Sequence, residues 1–94
     1  MNNSSDLTLN IKEIKNNLNI DNMRLIVDSL GYEVRGNNSF KIRDENTPSA
    51  MIYADGGISD FGTNEHMDIF DLVSRKTGLG FVDSVKYVNS FIGG

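Results

Sequence analysis

The chain has no cysteine, no tryptophan, one histidine and one proline. Without cysteine it forms neither a disulfide nor a thiolate zinc site. The lone histidine, His66, could build a metal site only with help from carboxylates. No apolar run is long enough for a signal peptide or a membrane span. These absences point to a soluble, cytoplasmic protein. Positive charge is scarce as well: nine Lys and Arg stand against thirteen Asp and Glu, a formal net charge of −4. Autonomous DNA binders carry a basic face, because neutralising phosphates supplies most of their affinity. A global basic face is excluded here, so any nucleic-acid contact has to be local. The acidic balance favours a protein that works on a partner protein.

Ninety-four residues make one domain. Residues 1–7 are polar and read as a flexible N-terminus, and residues 8–94 as the domain. Leu9, Ile11, Ile14 and Leu18 recur at near-helical spacing, predicting a helix over about residues 8–17. Asp21 is a candidate N-cap for a second helix with Met23, Ile26, Val27 and Leu30 on one face, closed by Gly31. Strand-like segments follow at Tyr32 to Arg35 and Ser39 to Arg43, joined by a turn at Gly36-Asn37-Asn38. Ala50 to Tyr53 and Ile58 to Phe61 form a further pair around Asp55-Gly56-Gly57, and Gly62-Thr63-Asn64 is expected to end the sheet. A helix over about 67–77 should bury Ile69, Phe70, Leu72 and Val73 and close at Gly78. A last helix over about 81–91 should turn Phe81, Val85, Val88 and Phe91 inward. The expected fold is α+β, a small antiparallel sheet flanked by helices.

Catalytic patterns are missing. Asp55-Gly56-Gly57 lacks the helix and lysine of a phosphate-binding loop. No carboxylate pair and no Ser/His/Asp set stands out, so the chain reads as non-catalytic alone. Arg75-Lys76, Asp71 and Asp83 complement helix dipoles. Asp60, His66 and Asp68 are spaced loosely enough to meet around a cation, though a histidine beside a helix start is ordinarily a polar surface residue. Single strands are gripped by aromatic stacking and by Lys or Arg along the backbone. Arg35, Lys41, Arg43 and Tyr53 are the candidates, with Tyr32 and Phe61 beside them. The competing reading makes Phe61 core, the tyrosines half-buried and the charges a soluble edge.

Three motifs occur in order: Asp44-Glu45-Asn46-Thr47-Pro48-Ser49, then Asp60-Phe61-Gly62-Thr63, then Asp68-Ile69-Phe70-Asp71-Leu72-Val73. The run Gly78-Leu79-Gly80-Phe81-Val82-Asp83-Ser84-Val85 follows them. Together they resemble the zinc-binding (zinc ribbon) domain of bacterial DnaG-type primases, from about Ile11 onward, with all the metal ligands replaced. Asn46 stands where that family has Lys, and Met67 where it has a small residue. Set on the family pattern, the ligand positions fall on Phe40, Arg43, Asp60 and Thr63. A structural zinc contributes about 10–16 kcal/mol to folding such domains, so its loss has to be offset. Phe40 is expected to fill the vacated volume. Arg43 and Asp60 are expected to be neighbours, either paired across the old site or separately solvated. Thr47-Pro48-Ser49 reads as a rigid turn into a strand.

The resemblance implies a sheet that contacts template DNA, no cofactor, and a role in DNA replication. Primase zinc domains come fused to a catalytic domain, whereas this chain stops where the resemblance ends. The catalytic part is therefore expected on another polypeptide: a polymerase, primase or helicase that this module assists in trans, as in a primase-polymerase complex. Such small modules suit phages and mobile elements. The apolar positions Leu9, Ile11 and Ile14 are the candidate contact with that partner. A second reading is a decoy that binds and inhibits a host replication protein.

Overall fold

The computed structural model describes residues 11–42 and 49–92. Residues 11–17 are helical (α1), with Ile14 and then Leu18 turned into the core. The next helix, α2, spans Ile20–Ser29. Its N-cap is Asn19, not Asp21: the Asn19 side chain accepts from the Asn22 backbone N–H at 2.8 Å, and Asp21 lies within the first turn. Both residues are good caps. The earlier start brings Ile20 into the helix, where it packs on the core, and so favours Asn19. Met23, Ile26 and Val27 are fully buried. Gly31 closes the helix at φ +98, a conformation that costs glycine little. Its N–H donates to the Asp28 carbonyl and that of Tyr32 to Val27, the paired bonds of a Schellman motif.

The sheet is an antiparallel meander in the order β1-β2-β3-β4, with β1 Ser39–Phe40, β2 Ala50–Ile52, β3 Gly57–Asp60 and β4 Glu65–Asp68. The expected strand at Tyr32 to Arg35 is reduced to one bridge, Val34 to Phe40. Arg35 N–H still donates to the Ser39 carbonyl at 2.8 Å. Asn38 takes φ +69 in the turn. The turn is pinned from outside: Arg24 Nη1 on α2 donates to the Arg35 carbonyl at 2.7 Å and to Asn38 Oδ1 at 2.8 Å.

The sheet does not end at Gly62-Thr63-Asn64. Residues 61–64 form a turn, with Asn64 at φ +61, and β4 returns to pair with all of β3. Its sequence, Glu-His-Met-Asp, has only Met67 as an apolar residue, so no two-residue alternation marks it as a strand. Asp68 ends β4 and also caps α3, Ile69–Thr77. Asp71 N–H donates to Asp68 Oδ1 at 3.0 Å, and Asp68 N–H to Asp71 Oδ2 at 3.3 Å, a reciprocal capping box. Ile69, Phe70, Leu72 and Val73 are buried and Gly78 closes the helix, as their spacing predicts. The final helix, α4, spans Phe81–Asn89.

One side of the sheet carries the core. Alternation places Phe40, Ala50, Ile52, Ile58 and Met67 on that side, and all of them join one cluster with the inner faces of the four helices. The fold is a small α+β unit. Phe81 departs from expectation: it is 52% exposed. Ser84, Val85 and Val88 form the inner face of α4, and the Phe81 ring is left leaning on Phe70 with centroids 6.2 Å apart.

Candidate nucleic-acid interface

Antiparallel register fixes which side chains share the other face of the sheet. Ser39 pairs with Met51, Met51 with Ser59, and Ser59 with His66. The Arg35–Ser39 bond extends this row to Arg35. One row over, Phe61 N–H donates to the Ser49 carbonyl at 2.7 Å, which sets Phe61 and Ser49 in line, and Lys41, between the core-side residues Phe40 and Ile42, alternates to this face. On the far side, Tyr53 N–H donates to the Gly57 carbonyl, and Gly57 pairs with Asp68. None of the residues set on this face belongs to the core cluster.

Three of the four sequence candidates for nucleic-acid contact, Arg35, Lys41 and Tyr53, therefore fall on one face. Arg43 lies outside the described residues. Arg35 is exposed, Lys41 half-buried and Tyr53 41% exposed. Phe61, which the competing reading placed in the core, is 58% exposed on this face. Tyr32 is elsewhere: it is half-buried against Phe40, with ring centroids 5.2 Å apart, and Lys76 Nζ lies 5.0 Å from its ring centre. Burial raises the Tyr32 phenol above its ordinary pKa.

The face contains a shallow basin of about 430 Å³. Tyr53, Asp55, Gly57, Ser59 and His66 are among the residues that line it. Ser59 Oγ lies 3.0 Å from His66 Nδ1, which fixes the imidazole ring. A Cβ at Gly57 would stand 3.1 Å from Asp55 Oδ1 and 3.9 Å from Tyr53 Cδ2. Asp55 Oδ1 accepts from Gly57 N–H at 3.0 Å, which brings a carboxylate against the basin. Ser59, Gly57 and His66 come to one face only through the β3–β4 pairing, which nothing local in Glu-His-Met-Asp announces.

The cation site imagined at Asp60, His66 and Asp68 fails on geometry. Asp60 pairs with Glu65, and Ser59 with His66. Asp60 therefore points to the core side and His66 to the open side. Among the described residues no group of three His, Cys, Asp or Glu side chains could hold a metal.

Three of the four positions that the expected alignment gives to metal ligands are described. Phe40 and Asp60 lie in one row on the core side, flanking Ala50, which pairs with both. Phe40 is wholly buried and Asp60 is 3% exposed. Asp60 Oδ1 accepts from Gly62 N–H at 3.0 Å and so shapes the turn after β3. Thr63 is exposed in that turn. Arg43, and with it the expected Arg43–Asp60 pair, lies outside the described residues, as does most of the Asp44-to-Ser49 motif.

The expected partner contact also changes. Leu9 lies outside the described residues. Ile14 is 5% exposed in the chain's own core and Ile11 packs against it, so the apolar stripe of this helix is used largely within the chain. An amphipathic helix in a small domain buries its stripe at home first. Among the described residues no helix is long and apolar enough to cross a membrane.

Comparison of the sequence with family models gave no match, and comparison with curated proteins gave none.

Proposed function

We propose that the chain is a non-catalytic accessory subunit of DNA replication. It acts in trans on a cytoplasmic polymerase, primase or helicase to support primer initiation, in the manner of a primase zinc ribbon that has lost its zinc. A phage or mobile element with its own replication genes suits such a module. The observation that supports the reading most is the register that gathers Arg35, Lys41, Tyr53 and Phe61 on the sheet face away from the helices. Stacking on the two rings and a few local cations would hold a short stretch of single-stranded template. With a net charge of −4, that grip is weak alone and becomes useful only when a partner supplies the rest of the channel.

The test is reconstitution. The chain is co-expressed with each replication protein encoded beside it, and stable complexes are purified. Each complex is then titrated with a fluorescent single-stranded oligonucleotide. The reading expects one stable complex whose affinity for the strand exceeds that of either component and falls on Tyr53→Ala. Failure of every neighbouring replication protein to bind would overturn it. A complex whose strand synthesis is blocked would favour the decoy reading.

A further inference from the structure

The helical side of the molecule leaves apolar surface uncovered. Val82 and Phe81, in the first turn of α4, are 47% and 52% exposed. Val82 borders a groove of about 310 Å³ between α1 and α4, with Ile14 and Val85 on its floor. The walls are polar and matched. On α1 stand Glu13 and Asn17, one helical turn apart; on α4 stand Lys86 and Asn89, three residues apart. Each wall thus presents one charge and one amide, and the two charges are opposite. Among the described residues, the one ion pair is Lys15–Asp68, so neither Glu13 nor Lys86 is engaged in one.

We infer that this groove is a self-association surface occupied by a second copy of the chain. A two-fold axis running along the groove lays α1 of one protomer over α4 of its partner. Glu13 then faces the partner's Lys86, and Asn17 the partner's Asn89, each contact occurring twice. Val82 of each copy then lies against the partner's α1. A surface with unlike charges on its two walls complements itself under that operation, whereas two walls of one sign would repel. The patch is much smaller than the roughly 20–30 residues a side of a stable interface, so the association is weak and concentration-dependent. The groove is built from helices and shares no residue with the open sheet face, so the inference does not rest on the accessory reading.

Sedimentation velocity of the full chain across a wide concentration range is the experiment, with circular dichroism and thermal melts showing that each variant is folded. The wild type is expected to pass from monomer to dimer in the micromolar range. Lys86→Glu and Glu13→Lys should each weaken dimerisation by about tenfold or more. The double exchange, Glu13→Lys with Lys86→Glu, should restore it to within a few-fold of wild type. Val82→Glu should leave a folded monomer. A wild type that stays monomeric throughout overturns the inference and leaves the groove to another chain. A dimer that none of these folded variants weakens, or a charge exchange that fails to restore, overturns it as well.

Discussion

Phe40 and Asp60 sit two strands apart in a single row on the core side of the sheet, with Ala50 between them. An aromatic ring and a carboxylate thus occupy two of the positions that the expected primase alignment gives to metal ligands. The ring is wholly buried and tilts against Tyr32. Phe40→Ala should therefore cost about 3–5 kcal/mol, the range for deleting a buried aromatic. Urea denaturation measures it. A loss below about 1 kcal/mol would show that the ring does not support the fold.

Folding without metal follows from the same packing. Purified protein is expected to carry substoichiometric zinc, and a strong chelator should leave the melting temperature unchanged. A large drop with chelator would contradict an apolar replacement of the metal.

Asp68 joins β4 to α3 through its capping box. Asp68→Ala should cost about 0.5–2 kcal/mol, and Asp68→Asn much less, because asparagine caps nearly as well. Equal losses in both variants would move the effect from the cap to the carboxylate charge, which also lies 3.5 Å from Lys15 Nζ.

Gly56 holds φ +96 beneath α1, and a Cβ there would come 3.1 Å from Leu18 Cδ1. Gly56→Ala combines a left-handed backbone with a tight contact and should destabilise by more than about 1 kcal/mol. Thermal denaturation of the two proteins decides it.

Tyr32 sets a limit at alkaline pH. Its phenol is raised in the folded state by burial, so the folded state holds its proton more firmly than the unfolded chain. The resulting stability is fully present below the ordinary tyrosine pKa of 10.0 and is lost as pH rises through the higher folded value. Stability should fall above about pH 10 by a step that Tyr32→Phe removes. An identical alkaline profile in the variant would show that Tyr32 does not titrate differently on folding.

The elements legible from sequence are those with local chemistry to announce them. α3 has four periodic apolar residues and a closing glycine, and each does what its position predicts, while its cap, Asp68, lies inside the span expected to be helical. β4 has one apolar residue and takes its shape from β3, so nothing local announces it. The choice of Asn19 over Asp21 turned on Ile20 finding a place in the core, a tertiary fact. Arg24 pins the turn at Arg35 and Asn38 from a helix more than ten residues away, and no spacing rule reaches that far. The candidate face was half legible. The turn at Gly36-Asn37-Asn38 fixes the parity of Arg35 and Lys41, but adding Tyr53, Phe61 and His66 to their face required the full four-strand register.

We propose that the open sheet face serves strand initiation by a partner enzyme. The most direct measurement is primer synthesis by the partner polymerase or primase on single-stranded template, with and without this protein. Wild type should raise initiation, and Arg35→Glu with Lys41→Glu should remove the gain while the complex stays intact on gel filtration. Tyr53→Ala should lower it through a stacking loss of about 1–3 kcal/mol per base. Initiation unchanged by these variants in an intact complex would contradict the claim.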